Sequence, residues 1–429
     1  MPFQLPKGTR DFSPEEKILR DKIISTLKEV FELYGYAPLE TPILEKFDVL
    51  ASKYAGGDEI LKEAFKLKDQ GNRELGLRYD LTVPLARYVG MNASIKMPFK
   101  RYQIGEVFRD GPVASARYRQ FTQCDVDVIG SSSMATDSEI IALVCSAFCR
   151  LELGVIVKFN SRKLLNDILG YCGIPKEKQE GIILSVDKME KFGIDTVKNE
   201  LKEQKIENSK ISKIIDFIGI KGNNEQKISQ LSKLLRDSEG LEEIRQLSGY
   251  LKSFALEAEF DIALARGLAY YTGTVMEAVP KNSNVKSSIC GGGRYDNMIG
   301  SFLGKGNGNY PAVGISFGLD RIYDALIEKQ KIKQKTNTKI YVIPIKTLNE
   351  SMKIVQQLRE AGINTDIDLM EKGPSKNLEY ANSLGIPYVI FVGKKELEDN
   401  KLKLRDMGSG EEEMLSFDEV IKRLKSQST

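Results

Sequence analysis

Residues 264–273 read LARGLAYYTG, an arginine among small apolar residues with two tyrosines side by side. A surface loop is ordinarily more polar, and a core strand does not hold an unpaired guanidinium, so Arg266 needs an anion waiting for it. Four other segments carry related chemistry. In LRYDLTVPLARY (77–88), Asp80 and Thr82 stand at or just before the start of a helix, where Asp80 can serve as the N-cap. FKRYQIGEVFR (99–109) and YRQFTQCDVDVIG (118–130) set Arg109, Arg117 and Arg119 around a Gly-Pro turn at 111–112. Guanidinium forks of that kind suit phosphate oxygens and stack on a purine ring, while a solvated strand pair with ordinary charge complementarity is the plainer reading. CGGGRYDNMIG (290–300) has three successive glycines, which allow close approach of a ligand to backbone or mark only a tight turn. AVGISFGLDRI (312–322) reads as a strand, Gly318, and a helix whose first turn holds Asp320 and Arg321, the latter equally suited to the helix surface.

The chain contains no histidine among 429 residues. That excludes Ser-His-Asp and Cys-His catalysis and every histidine metal ligand. No GxxxxGK[ST] motif is present, so catalysis must rest on arginine, carboxylate, tyrosine and metal. With 63 basic and 60 acidic residues the net charge is +3, and any RNA contact must use local basic patches. Five cysteines lack metal spacing and suit a reducing cytosol. Cys145 and Cys149, one turn apart within the apolar run IIALVCSAFC (140–149), read as core. That run is too short to span a bilayer, and MPFQLPKGTRDF does not resemble a signal peptide.

The positioning elements follow from periodicity. Residues 13–34 open with Ser13 and Pro14 and then repeat apolar residues at helical spacing. A turn at Gly35 leads to the extended stretch APLETPILE. From 99 to 130 the period becomes two, a hairpin that places Gln123, Asp125 and Asp127 on one face and Cys124, Val126 and Val128 on the other. Arg101, Gln103 and Arg109 share a face of the outgoing strand. Residues 161–250 are charge-dense and helical, and the strand pattern resumes near 257, which suggests a helical insertion in a sheet domain. We therefore expect a core in two parts, 1–160 and 251–327, around the insertion 161–250. A polar linker, 328–338, leads to a small α/β domain, 339–429, with a partly parallel sheet.

These segments together resemble the class II aminoacyl-tRNA synthetases. FKRYQIGEVFRDGPVASARYRQF looks like their motif 2, GISFGLDRI like motif 3, and YGYAPLETPILE like the looser motif 1 that supports a homodimer interface. LARGLAYYTG and GGGRYD resemble the two amino-acid-specific motifs of the histidyl-tRNA synthetase family, and GPSKNLEYANSLGIPYVIFVG its C-terminal anticodon-binding domain. The likeness runs from residue 3 to about 420. It implies an α+β fold, an antiparallel sheet core flanked by helices, and a cytoplasmic homodimer without a membrane segment. The implied activity is ATP- and Mg2+-dependent ligation of L-histidine to tRNA(His) through a histidyl-adenylate. A non-catalytic regulatory paralogue that binds histidine or tRNA is the alternative.

Carried over by resemblance, Arg109 and Arg266 are the catalytic residues and grip the α-phosphate of ATP. Arg321 would bind the γ-phosphate and Arg117 would lie over the nucleotide. Asp80, Leu81, Thr82, Arg109, Gln123, Asp127, Arg266, Tyr270 and Tyr271 form the implied histidine site. In it Asp80, Thr82 and Gln123 receive the ammonium, while Asp127 and Tyr271 bracket the imidazole. The magnesium ligands are not implied by any motif. Ala116 stands where the family usually has glycine, in a shorter motif 2 loop. The missing histidine would let such a chain be translated while its own product is scarce, or it is compositional in a lysine- and isoleucine-rich chain.

Overall fold

A computed structural model describes residues 3–51, 62–92, 94–113, 118–266, 270–285, 287–302, 310–329 and 334–426. They form two compact units, one comprising Ile23–Lys329 with the N-terminal residues to Arg10, the other Asp11–Lys22 with the described residues after Lys329.

The first unit is built on eight strands: β1 (Ala37–Pro38), β2 (Phe99–Phe108), β3 (Gln120–Ile129), β4 (Val155–Ser161), β5 (Glu259–Phe260), β6 (Thr274–Pro280), β7 (Cys290–Arg294) and β8 (Ala312–Gly318). Their order is β1-β2-β3-β8-β7-β6-β4-β5. Only the outermost pairs, β1 with β2 and β4 with β5, are parallel; the five between are antiparallel. The antiparallel-rich α+β core expected from the sequence is what the chain adopts. The hairpin of residues 99–130 pairs from Phe99 with Ile129 to Phe108 with Gln120.

Alternation sorts this sheet into two faces. Cys124, Val126, Val128, Val313, Ile315 and Phe317 are buried on the apolar one. There Phe317 meets Phe31 of helix Pro14–Leu33 and Phe148 of helix Met134–Arg150, with ring centroids 5.5 and 5.6 Å apart. These helices hold the face from below, and burial of such aromatic side chains contributes about 1.5–3 kcal/mol each. In the Met134–Arg150 helix the core stripe is Ile140, Ile141, Val144, Ala147 and Phe148. Cys145 and Cys149 each lie about 100° further round than Val144 and Phe148. Cys145 is accordingly half-buried, and Cys149 is exposed, contrary to its reading as core.

Between the parallel neighbours β4 and β5 the chain runs through helices only, from Arg162–Tyr171 to Glu239–Ser253. Parallel strands require a long crossover, and here the charge-dense helices supply it.

In the second unit, strands Thr365–Ile367, Ile340–Pro344 and Tyr388–Val392 are parallel in that spatial order. Leu402–Asp406 and Glu412–Leu415 extend the sheet antiparallel. The exposed acidic residues of Glu412–Leu415 are those of an edge strand. Among the described residues no helix is long and apolar enough to cross a membrane.

Candidate active site

The polar face is organised in rows, because residues opposed in antiparallel register point the same way. One row runs Gln103, Asp125, Ser316, Gly291 and Glu277 across β2, β3, β8, β7 and β6. The next runs Arg101, Asp127, Gly314 and Gly293. Serine and glycine on β8 and β7 leave the middle of the floor low. A cavity of about 150 Å³ lies over it.

The glycines are required by what crosses them. A Cβ at Gly291 would stand 1.9 Å from Arg266 Nη1, and one at Gly314 would stand 1.9 Å from Asp127 Oδ1. The GGG segment is therefore strand, not turn, and its first glycine makes room for the arginine of LARGLAYYTG. Arg266 Nη1 donates to Glu277 Oε1 at 2.8 Å, so the anion demanded by its burial is Glu277. Its Nε is buried with no hydrogen-bond partner.

Opposite, Asp80 precedes helix Thr82–Met91. Its Oδ1 accepts from the backbone N–H groups of Thr82 at 3.1 Å and Val83 at 2.9 Å. One carboxylate thus caps the helix and lines the cavity. Arg109 leaves the end of β2 and lies over the rings of Tyr79 and Phe121, 4.2 and 4.9 Å from their centroids. Such cation–π contacts fix a guanidinium that would otherwise sample many rotamers. Gln123 Nε2 donates to Ser316 Oγ at 2.8 Å, while Gln123 Oε1 and Asp125 Oδ1 are buried without a hydrogen-bond partner. Unmatched polar atoms around one cavity mark a place for a polar ligand.

Asp127 is held on both oxygens. Arg101, fully buried, reaches Oδ2 at 2.7 Å, and the Tyr295 hydroxyl donates to Oδ1. Tyr270 and Tyr271 form a tilted pair with centroids 4.7 Å apart, and Tyr270 meets Tyr295 edge-on at 6.3 Å.

Burial pushes the Asp80 carboxyl above its usual range, against the helix N–H groups and Arg109. Burial likewise raises Asp125 to about 7; Arg101 opposes the rise and Asp127 adds to it. Asp127 is raised by burial, with Arg101 and Tyr295 opposing. The two aspartates titrate as a pair.

Of the residues singled out in the sequence, Asp80, Thr82, Arg109, Gln123, Asp127, Arg266, Tyr270 and Tyr271 line this one cavity. Leu81 stands behind it, fully buried, its carbonyl accepting from Arg101 Nη2 at 3.2 Å. Arg321 is outside the lining and donates from Nη1 to Ser288 O at 2.7 Å. Arg117 and Ala116 lie outside the described residues. Sequence reasoning missed Glu277, Ser316 and Tyr295 as parts of the site. Glu277 did leave a signal: a lone carboxylate in the apolar strand TVMEAVP, two turns of alternation after the arginine motif.

The chain is similar to known proteins along nearly all of its length. The family model for histidyl-tRNA synthetase matches residues 8–322, and that for an anticodon binding domain matches residues 339–427. The chain is 43% identical to histidine–tRNA ligase 1 of Bacillus cereus, covering 95% of this chain and 96% of that protein. It is 40% identical to histidine–tRNA ligase 2 of Shouchella clausii, covering 97% and 98% respectively. The crystal structure of histidyl-tRNA synthetase from Nostoc sp. PCC 7120 superposes with a TM-score of 0.88 at 31% identity, covering 100% of both chains.

Proposed function

The chain belongs to the histidyl-tRNA synthetase family, and we propose that it ligates L-histidine to tRNA(His) through a histidyl-adenylate, releasing AMP and diphosphate. The observation that carries this reading is the gathering of Arg109, Arg266, Asp80, Gln123, Asp127 and the tyrosine pair around one small cavity.

In the first step a histidine carboxylate oxygen bonds to the α-phosphorus of ATP, and the bond from that phosphorus to the diphosphate oxygen breaks. Charge gathers on the phosphoryl oxygens, and Arg266 and Arg109, already fixed by Glu277 and by two aromatic rings, stabilise it without moving. No general base is needed, because the amino acid's carboxylate is ionised. Arg321 takes the γ-phosphate and Arg117 covers the nucleotide. In the second step a hydroxyl of the terminal tRNA ribose attacks the activated carbonyl and AMP leaves.

Histidine is selected by hydrogen bonding. Asp80, Thr82 and Gln123 receive the ammonium. Tyr271 and the Tyr295–Asp127 pair bracket the imidazole; the Tyr295 hydroxyl donates a hydrogen bond to Asp127 and keeps lone pairs to accept from an imidazole N–H. A site so built rejects apolar amino acids, which would leave its polar groups unpaired.

Magnesium would arrive on the nucleotide. Among the described residues no three Cys, Asp or Glu side chains are gathered as a metal set, which suits an ion held mainly by phosphates and water. Bound there, it would neutralise phosphate charge. Residues 339–427 would read the anticodon, whose unstacked bases expose their edges. The helical insertion would hold the acceptor arm through local lysines, and the YGYAPLETPILE stretch would support a cytoplasmic homodimer. A regulatory paralogue is not favoured, since the two arginines are in place and the anticodon domain is present.

The test is charging of tRNA(His) with radiolabelled histidine. Acid-stable labelled tRNA that requires ATP is expected; histidine binding without charging would favour the regulatory paralogue.

A further inference from the structure

Residues 6–10, PKGTR, precede the first helix and add no side chain to the buried core. Specific contacts nevertheless hold them in place. The Thr9 N–H donates to Pro6 O at 3.1 Å and Gly8 has φ +85°, as a type II turn requires of its third residue. This turn sits in the mouth of the β2–β3 hairpin. A Cβ at Gly8 would stand 2.8 Å from Arg119 Cγ and 2.9 Å from Val113 Cγ2, one residue from each side of the loop. The Arg119 N–H donates to Gly8 O at 2.8 Å, and Arg119 O accepts from the Arg109 N–H at 2.8 Å. Hydrogen bonds therefore lead from the turn to the backbone of the arginine proposed to grip the α-phosphate.

Arg10 makes a second tie. Its Nη2 pairs with Asp320 Oδ1 at 3.0 Å, across 310 residues of sequence, with the two side chains 26% and 7% exposed. Its guanidinium carbon lies 4.6 Å from the centroid of the Tyr118 ring and 5.8 Å from that of Tyr323. Asp320 Oδ2 accepts from the Thr122 N–H of β3 at 3.3 Å. One carboxylate thus joins the N-terminal segment, the hairpin and the start of helix Leu319–Lys329, which carries Arg321. A guanidinium held by an aromatic face and a shielded carboxylate resists displacement better than an exposed ion pair does. Val113, Tyr118, Arg119 and Asp320 all stand outside the lining of the cavity assigned to histidine.

We propose that the PKGTR segment is a brace for nucleotide binding. Gly8 sets the Arg109 end of the hairpin, and Arg10 sets the helix start bearing Arg321, so that both arginines meet one triphosphate. This rests on the proposed function and adds to it the residues that hold its two phosphate grips in register. Gly8 and Arg10 are positioning residues: they touch neither ATP nor histidine. Because the brace ends on the phosphate grips and not on the amino-acid cavity, its loss is felt by ATP rather than by histidine.

The test compares Arg10→Gln, Arg10→Lys, Asp320→Asn, the R10Q/D320N double variant and Gly8→Ala in the full chain. ATP–pyrophosphate exchange is measured without tRNA, varying ATP and histidine separately. R10Q and G8A are expected to raise the KM for ATP about tenfold, while the KM for histidine stays within about twofold of the parent. R10K keeps the charge but loses the planar stacking, and should recover part of the loss. The double variant should be little worse than either single one, as for two residues acting through one contact. A parental KM for ATP in R10Q overturns the proposal. So does an equal rise in both KM values, which a general loosening of the fold would give. If G8A does not fold, the partly exposed Arg10 decides alone. A parent without histidine-dependent exchange would bring down the proposed function and the brace with it; a parent whose exchange R10Q leaves unchanged brings down the brace only.

Discussion

Arg266 and Glu277 meet at 2.8 Å over Gly291, a residue whose missing side chain is the space they occupy. The arginine comes from a loop, the glutamate from β6 and the glycine from β7, so three separated segments make one fixed cation. Breaking such a pair leaves a half-buried charge unmatched and its geometry loose. Glu277→Gln is expected to lower the rate of ATP–pyrophosphate exchange about ten- to a hundredfold with little change in the KM for histidine. Exchange at the parental rate would show that Glu277 does not position Arg266.

Gly291→Ala tests the same relationship from below. The added methyl would lie 1.9 Å from Arg266 Nη1, so the guanidinium must shift. Because a displacement of about 1 Å can cost about a hundredfold in rate, exchange should fall by that order while the far-ultraviolet circular dichroism stays parental. Unaltered exchange would mean that Arg266 does its work elsewhere.

Asp80 has two roles that substitution can separate. Asp80→Asn keeps an acceptor for the Thr82 and Val83 N–H groups but removes the charge. It should keep the thermal midpoint and raise the KM for histidine about tenfold or more. Asp80→Ala should do both harms, losing about 1 kcal/mol of stability in denaturant titration. Equal KM values for D80N and the parent would remove Asp80 from the ammonium site.

The pH dependence follows from the Asp125–Asp127 pair. Burial raises both, Asp125 to about 7, so below that pH the pair retains a proton and leaves the cavity that takes the cationic amino acid less negative. Histidine affinity should therefore rise between about pH 6 and about pH 8, with proton release on binding measurable by calorimetry. The substrate's own imidazole also titrates there, but the chain contributes no histidine of its own. Asp125→Asn isolates the protein's share. Its profile should lose one step, and superposition on the parental profile would contradict the assignment.

Much of this site was legible in the sequence, for reasons that can be located. Period-two alternation put Gln123, Asp125 and Asp127 on one face, and the register with β8 keeps them there. The Asp80 cap was readable because capping is a local rule. The arginine of LARGLAYYTG announced a partner without naming it, since Glu277 meets it only once the loop folds back over β7 to bring Arg266 across Gly291. Tyr295 stood inside a quoted motif, yet its bond to Asp127 spans 168 residues. Cys149 was misread because an apolar run says nothing of where the stripe ends on the helix.

The most direct test is ATP–pyrophosphate exchange with each amino acid in turn, without tRNA, in the parent and in Arg266→Ala. Exchange with histidine alone, lost in R266A while the circular dichroism stays parental, is the expected result. Exchange with no amino acid, or undiminished exchange in R266A, would contradict the assignment of this cavity to histidyl-adenylate formation.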